Sequence, residues 1–392
     1  MLIEIHMIQN HSPSNLNRDD LGAPKTCMFG GVTRARISSQ CIKRSIRRSA
    51  DFHNAMEKDG GIRTRSLVRE LARRAAENGD PAPRTVALVQ KVFEDSGVEV
   101  KATKGDSTST NILLFVPNSA VDAMAAAVKL EAEKEKPSAD NLAQALAPHL
   151  VKAGTPDIAL SGRMTEFDAK GAFEKLDFGV EAALSASHAI STHEAINEVD
   201  YWTAADDLPS GAAAAMVEEG QFASACFYKY FCIDWNQLLK NLGADEKLAK
   251  LTARQFLYAA AQNTPSGKQH ASAAFNLPEG ILVELKRERL IPTSYANAFA
   301  DPVPLRSQRG LIGESVARLG QYVHETVVGF GIPAERFWFS PAGRYPLTWR
   351  DRGADESEKE KSVVDNNHVF LSLDTVVNAV LDKVTAGNGR KT

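Results

Sequence analysis

Residues 221–233 have the sequence QFASACFYKYFCI, the clearest strand-forming stretch of the chain. Side chains alternate between the two faces of a strand, so aromatic residues fall on both of its faces. One face carries Phe222, Cys226, Tyr228, Tyr230 and Cys232, and the other carries Phe227, Lys229, Phe231 and Ile233. We expect core packing rather than stacking on nucleic-acid bases, because the run lacks the usual pattern of a base-stacking sheet.

The chain also begins with a strand, which a basic helix follows. Residues 2–9 (LIEIHMIQ) alternate as a strand does. A polar stretch at 10–36 leads to ISSQCIKRSIRRS at 37–49, which predicts a short helix. Either Ser38 or Ser39 can supply the oxygen that caps the first turn of this helix.

The two sides of this helix differ in character. Ile42 and Ile46 are four residues apart and therefore face the core together. Lys43 and Arg47 share a second stripe, and Gln40 lies one turn earlier. The pattern predicts polar side chains that converge on one surface.

The distribution of charge is uneven. The whole chain has a formal net charge of −3, which taken as an average argues against binding to nucleic acid. The stretch from residue 21 to residue 50, however, contains seven Lys or Arg residues and no Asp or Glu. A basic patch on a mildly acidic protein predicts a polyanion groove on one face, although a solvated basic helix gives the same pattern.

The remaining segments mix helices and strands without regular alternation. Residues 60–155 are mostly helical, with amphipathic stretches at 120–136 and 139–152. Strands are predicted at 157–164, 181–192 and 279–286, and helices at 244–262, 308–329 and 373–385. This order predicts an α+β fold with an RRM-like (ferredoxin-like) core and long insertions, not a doubly wound sheet.

The sequence contains none of the common catalytic or cofactor motifs. Glycine-rich phosphate loops are absent, and the four cysteines form no C-x-x-C pair. His188, His193 and Glu194 lack a standard metal-ligand spacing. Asp19–Asp20 and Asp206–Asp207 are adjacent pairs, whose members would point to opposite faces of a strand. We expect no cofactor, no metal site and no catalytic residue.

The N-terminus has no signal-peptide pattern, and no apolar run approaches the length of a membrane span. These features predict a cytoplasmic protein with reduced cysteines.

The N-terminal block HSPSNLNRDDLGAPKTCMFGGVTRARISSQCIKRSIRRS (11–49) strongly resembles the start of the CasC family, the backbone subunit of the type I-E CRISPR Cascade complex. The resemblance spans about residues 3–300 and continues in the same order through five further motifs. These motifs are IALSGRM (158–164), SASHAISTHEA (185–195), VDYWTAADDL (199–208), GKQHASAAFN (267–276) and ANAF (296–299).

This resemblance implies a hand-shaped α+β protein with an RRM-like palm, an inserted helical fingers subdomain and a protruding thumb. The implied boundaries are palm at 1–59, fingers at 60–156, palm and web strands at 157–194, thumb at 195–220 and the rest of the palm with C-terminal helices at 221–392. The thumb segment combines Trp202, a Pro209–Ser210–Gly211 break and an alanine run, so we expect it to be flexible in the free protein.

The resemblance also implies a non-catalytic CRISPR RNA-binding subunit. Copies would stack into a helical filament along the guide RNA and present it for pairing with target DNA in antiviral defence. Each thumb would reach the neighbouring copy and displace one nucleotide. The other implied partners are the cap subunit, the processing endonuclease, and the small and large subunits.

The implied RNA contacts match the chemistry of the basic block. Phosphates, which bind without regard to sequence, would be held by Arg18, Lys25, Gln40, Lys43, Arg44 and Arg47, with Ser38 and Ser39 as neutral donors. Arg163 could hold a further phosphate beside Met164, an apolar wedge between bases. Trp202 and Thr203 would touch RNA near the displaced nucleotide, and the loop candidates are Lys268, Gln269 and Asn276. Core packing is the alternative role for Met164 and Trp202.

Two other CRISPR-related functions remain open. One is an RNA-cleaving backbone subunit that uses a loop aspartate such as Asp20. The other is a CRISPR RNA-processing endonuclease, which usually needs a histidine-centred general acid–base arrangement. The sequence shows no such histidine cluster.

Overall fold

The computed structural model describes residues 1–56, 60–77, 79–103, 106–204, 216–351, 353 and 359–386. The chain divides into two compact units, each built from segments that are distant in sequence. The first unit comprises Met1–Phe52, Ser185–Asp234 and Ala253–Thr392, and the second comprises His53–Leu184 and Trp235–Thr252.

Strands and helices are mixed throughout the described residues. The strands are β1 (Leu2–Ser14), β2 (Thr26–Phe29), β3 (Val32–Ile37), β4 (Gly61–Thr64), β5 (Val100–Thr103), β6 (Asp106–Thr110), β7 (Leu114–Pro117), β8 (Leu184–Ala186), β9 (Ala189–Ser191), β10 (Asn197–Ala204), β11 (Met216–Asp234), β12 (Gly280–Lys286), β13 (Glu335–Phe339), β14 (Thr348–Trp349), β15 (Lys361–Ser362) and β16 (Val369–Phe370).

The α-helices are α1 (Ser39–Arg47), α2 (Ala50–Ala55), α3 (Leu67–Ala75), α4 (Pro83–Asp95), α5 (Asn118–Ala132), α6 (Ala139–Leu150), α7 (Pro156–Ser161), α8 (Trp235–Asn241), α9 (Glu246–Gln262), α10 (Gln269–Ser272), α11 (Gly310–Phe330) and α12 (Leu373–Ala386). Short 3-10 helices occupy Gly171–Phe173, Ala296–Phe299, Pro341–Gly343 and Asn366–His368. The predicted α+β class is confirmed. None of these helices is long and apolar enough to cross a lipid bilayer in the part of the chain that is described.

A ten-stranded mixed sheet dominates the first unit. Its main path is β16-β13-β12-β1-β11-β9-β3-β2, and β8 and β10 also pair with β11. β1 runs antiparallel to both β11 and β12, with Leu2 opposite Asp234 on one side and Lys286 on the other. The strands predicted at 2–9, 221–233 and 279–286 are therefore direct neighbours.

Both faces of β11 are buried where it crosses the sheet. Tyr228 is 1% exposed and belongs to a hydrophobic cluster that includes Val316 and Leu319 of α11. On the opposite face, Phe231 packs edge-on against Phe256 of α9, with 5.4 Å between the ring centroids. The prediction of core packing for this strand is confirmed, since its aromatic rings are covered by helices.

Buried charges in the same sheet are paired. His6 lies on β1 with its Nε2 3.3 Å from the Glu284 carboxylate, and its Nδ1 is 2.8 Å from the Tyr228 hydroxyl. Arg336 donates to Glu284 at 2.7 Å, and Lys286 pairs with Glu4. Such pairing offsets the cost of burying each charge, which would otherwise be several kilocalories per mole.

The second unit is built around helices. α3, α4, α5 and α6 contribute side chains such as Leu71, Phe93, Val128 and Leu146 to one apolar core. Two short antiparallel pairs, β4 with β7 and β5 with β6, accompany these helices. The helices predicted at 120–136 and 139–152 are present as α5 and α6, whereas the short strand pairs were not predicted.

The prediction of a strand at 157–164 is wrong, because most of this segment lies in helix α7 (Pro156–Ser161). Pro156 occupies the first turn, where its missing N–H costs no helical hydrogen bond. Gly162 follows the helix with φ of +72°, a conformation that favours glycine. Ile158 and Leu160 are buried. A short apolar run has no periodicity that separates a buried strand from one buried helical turn.

Candidate nucleic-acid interface

Helix α1 has the capped start and the apolar face that its sequence predicts. Ser38 precedes the helix, and its Oγ accepts a hydrogen bond from the Cys41 N–H at 3.2 Å. Ile42 and Ile46 are both 4% exposed. These contacts fix the helix, so its other sides present polar side chains to solvent in a defined orientation.

The polar face of α1 is basic. Its first turn contains no acidic residue, and its last turn contains Arg44 and Arg47. Gln40 and Arg44 are exposed, whereas Lys43 and Arg47 are half-buried. Long basic side chains can cover apolar surface with their stems while their charged ends stay in water.

Strands β2 and β3 bring two further cations to the start of α1. The Arg36 N–H donates to the Lys25 carbonyl at 2.8 Å, so these residues are cross-strand neighbours. The Lys25 N–H donates to the Asn17 carbonyl at 2.9 Å, and Asn17 Oδ1 accepts from the Ser38 N–H at 2.9 Å. Arg18, next in the chain, is exposed.

The electrostatics near Cys41 show that cations from separate elements converge. Burial raises the pKa of the Cys41 thiol, and the charges of Arg44, Lys25 and Lys229 oppose that change. Lys229 lies inside the sheet, where burial lowers its pKa to about 8. The first turn of α1 therefore lies in a positive field contributed by three segments, which favours a polyanion.

The loop after α9 packs beside this region. Ser45 of α1 donates to the Thr264 carbonyl at 2.9 Å. A Cβ atom at Gly267 would lie 2.4 Å from the Leu16 carbonyl oxygen, so only glycine fits this close approach. Lys268 follows with φ of +47° and an exposed side chain. The structure thus brings Lys268 to the segment that precedes Arg18.

Two predicted contacts in this loop have internal partners instead. Gln269 is 6% exposed, and its Nε2 donates to the carbonyls of Pro265 and Ala274 at 3.2 Å. Asn276 Oδ1 accepts from the N–H and the hydroxyl of Ser12 at 3.0 and 3.1 Å. The structure therefore assigns Gln269 to holding the loop, against the prediction that it contacts RNA, and the Asn276 oxygen is similarly engaged.

Arg163 and Met164, in the second unit, have opposite environments. Arg163 is 6% exposed. Its guanidinium donates to the carbonyls of Phe178, Phe115, Lys152 and Val151 at 2.7–3.1 Å. The prediction that Arg163 holds a phosphate is therefore wrong, because its N–H groups bind the backbone. Met164 is 87% exposed, which excludes core packing and leaves it available as a wedge.

The predicted thumb contains a two-stranded ribbon. β10 pairs antiparallel with the first part of β11, with Trp202 opposite Glu218 and Thr203 opposite Val217. Trp202 is 40% exposed, so core packing is excluded for it as well. Trp202 and Thr203 are adjacent in one strand and lie on opposite faces. They cannot both meet RNA on the same side of the ribbon.

The ribbon is acidic. Residues 194–228 contain no Lys or Arg, and the described part of the ribbon carries Glu198, Asp200, Glu218 and Glu219. These charges repel phosphates. Any contact between Trp202 and RNA would therefore rely on the indole ring. Asp206–Asp207, the Pro209–Ser210–Gly211 break and the alanine run lie outside the described residues.

The roles of Arg34 in the basic block and of His188 beside it were not found from sequence. Arg34 is 0% exposed, and its guanidinium donates to the Ser191, Phe299 and Ala300 carbonyls at 2.7–3.3 Å. It holds the sheet together and is not a surface cation. His188, considered only as a metal ligand, accepts a hydrogen bond from the Ser39 N–H at 3.0 Å. Its position opposite the start of α1 could be found only from the pairing of β3 with β9.

The acidic and histidine candidates for catalysis are dispersed. Asp19 Oδ1 accepts from the N–H groups of Leu21 and Ala23, both at 2.9 Å, and so shapes a turn. Asp20 is exposed, and burial lowers the pKa of His193 to about 4. Among the described residues, no group of three or more His, Cys, Asp or Glu side chains is arranged to hold a metal ion.

The fold and the site define an α+β protein with a basic surface around one short helix. The chain belongs to the family of CT1975-like proteins, whose family model matches residues 3–362. A comparison with curated proteins finds no match.

Solved structures of CRISPR complexes contain similar chains. One is a chain of a "CRISPR RNA-guided surveillance complex, pre-nicking", with 27% sequence identity and a TM-score of 0.78 over 98% of this chain and 100% of that chain. Another, from a "CRISPR RNA-guided surveillance complex", has 23% identity and a TM-score of 0.69 over the same shares. The second likeness concerns the fold alone.

Proposed function

We propose that this protein is a non-catalytic CRISPR RNA-binding backbone subunit that multimerises along the guide RNA and presents it for pairing with target DNA in antiviral defence. The observation that carries the proposal is the position of Lys25, linked through Asn17 to the start of α1, beside a helix that carries the basic residues Arg44 and Arg47. The protein is also similar, over nearly its full length, to a chain of an RNA-guided surveillance complex, which supports the same conclusion.

The chemistry of this surface suits a subunit that must accept any guide sequence. Ammonium and guanidinium groups bind phosphates and read no base identity. The groups proposed to contact RNA are Arg18, Lys25, Ser39, Gln40, Lys43, Arg44, Arg47 and Lys268. The exposed Met164 is proposed to part neighbouring bases, and Trp202 to lie against the displaced nucleotide.

The same proposal extends to architecture and partners. The sheet of the first unit would be an RRM-like palm, the second unit would include the fingers, and the β10–β11 ribbon would be the thumb. The resemblance of the N-terminal block supports assignment to the CasC subunits of the type I-E complex. Partners would then be further copies of the chain, the cap subunit, the processing endonuclease, and the small and large subunits, in the cytoplasm.

Reversing two charges on α1 tests the phosphate groove. Lys43→Glu combined with Arg47→Glu should weaken binding to unrelated single-stranded RNAs by similar factors. The slope of log affinity against log salt should become less negative by about 1.4, which corresponds to two lost phosphate contacts. Fluorescence anisotropy over a salt series measures both quantities.

The matched control is Lys175→Glu with Lys247→Glu, which makes the same change of charge at two exposed positions of the second unit. The control should retain affinity and slope. Equal losses in both double variants would mean that only the net charge matters, and unchanged binding in the α1 variant would refute the groove.

A further inference from the structure

His188 lies near two cations of the basic block. It directly precedes β9, where Ile190 is the cross-strand partner of Arg36 and Ala189 is that of Ile37. Lys25 lies across from Arg36 on the other side. The charges of Arg36 and Lys25 both act on the imidazole.

The hydrogen bond to the helix fixes the state of the imidazole. His188 Nδ1 accepts the Ser39 N–H at 3.0 Å, and a nitrogen that accepts a hydrogen bond carries no proton. Burial, followed by the charges of Arg36 and Lys25, lowers the pKa of His188. The ring is therefore neutral at pH 7 and holds its proton on Nε2. The exposed side chain has no acceptor for that proton among the described residues.

Two N–H groups in the first turn of α1 are already engaged, since Ser38 Oγ accepts from Cys41 and His188 Nδ1 accepts from Ser39. The imidazole accepts the Ser39 N–H on one side and presents its own Nε2–H donor on the other. A hydrogen-bond donor therefore still faces outward from the positive end of the helix. A donor of fixed direction near two cations suits a phosphate oxygen better than a base edge.

We propose that His188 is a further RNA-binding residue, whose Nε2–H donates to a phosphate oxygen held between Lys25 and Arg36. The assignment rests on the proposed function, because it requires RNA on the basic surface of α1. It adds a neutral donor of fixed direction to the ionic contacts of Lys25 and Arg36.

Two amide substitutions separate the inner bond of His188 from its outer one. In His188→Asn the short amide can still accept from the Ser39 N–H but cannot place a donor at the position of Nε2. In His188→Gln the longer amide can place a donor there. His188→Asn should bind a short single-stranded RNA about tenfold more weakly, with a wild-type unfolding temperature, and His188→Gln should restore most of the affinity.

The salt series supplies the second readout. Loss of a neutral donor should leave the slope of log affinity against log salt unchanged in His188→Asn, whereas the Lys25→Gln control should make it less negative by about 0.7. Wild-type affinity in His188→Asn would overturn the role of His188 alone. A reduced slope, or a loss that accompanies instability and is not restored by Gln, would also overturn it. Absence of RNA binding by the wild-type protein would overturn the proposed function and this role together.

Discussion

Adjacent residues in this chain serve different purposes, and their environments reveal which. Arg163 is buried among backbone carbonyls, while Met164 beside it is almost fully exposed. Arg34 and Arg36 lie on the same face of β3, yet Arg34 is enclosed and Arg36 is half-exposed. Residue type alone suggests RNA contact for every arginine of the block. Burial decides which of them can make such a contact.

Substitution of Arg163 should lower the stability strongly, whereas substitution of Met164 should hardly change it. Arg163→Ala leaves four buried carbonyl contacts unfilled, and we expect the free energy of unfolding to fall by about 3 kcal/mol or more. Met164→Ala removes an exposed side chain and should change that free energy by less than about 0.5 kcal/mol. Chemical denaturation monitored by circular dichroism measures both.

The matched substitution Arg163→Lys keeps the charge but cannot reproduce the planar set of donors. We expect it to recover only part of the loss. Equal stability of the alanine and wild-type proteins would contradict the internal role of Arg163.

At the scale of elements, the ribbon of β10 and β11 differs from the basic surface of α1 in its charge and in its exposed aromatic rings. Its side chains are less buried than those of the sheet, since Tyr201 is 71% exposed and Trp202 is 40% exposed. An acidic, aromatic ribbon is poorly suited to phosphates but complementary to a basic protein surface. This supports a role in contacting another copy of the chain.

Shortening the ribbon should uncouple assembly from folding. Asp200 and Gly220 are cross-strand partners, so a two-residue Asn-Gly turn can replace residues 201–219. The variant should unfold at nearly the wild-type temperature and keep the binding of a short RNA that the basic surface of α1 provides, yet fail to form multimers on a long guide. Analytical ultracentrifugation distinguishes these states.

A Trp202→Ala variant is the control, because it keeps the length of the ribbon and removes only the indole. It separates the loss of the proposed RNA contact from the loss of the ribbon itself. Loss of folding in the shortened variant would mean that the ribbon is part of the palm. Normal assembly would mean that another segment joins the copies.

Elements whose caps and apolar periodicity lie within the element itself could be predicted from the sequence. Helix α1 has a capping serine and two isoleucines four residues apart, and β11 has long alternation, so both were predicted with their buried faces. α7 was missed because one apolar turn has no detectable period. The inward orientation of Gln269 and Arg163 was missed because their acceptors are backbone carbonyls, some of them distant in sequence, which only the folded chain brings into place.

At the scale of the whole molecule, a mildly acidic protein gathers positive charge on one surface. The net charge of −3 coexists with a 30-residue block that lacks Asp and Glu. The sheet that supports this surface is anchored by paired buried charges such as Lys286 with Glu4. A rigid sheet holds short basic elements in a fixed arrangement, which is the requirement for repeated, identical contacts along a polymer.

The central claim is multimerisation on guide RNA without cleavage, and the most direct test is the mass of complexes formed on RNAs of increasing length. Mass photometry with Mg²⁺ present should show the number of bound copies rising in regular steps with RNA length, and the recovered RNA should remain full-length. One copy per RNA at every length would contradict the backbone role. RNA cleavage that disappears in Asp20→Ala would show instead that the protein is an RNA-cutting subunit.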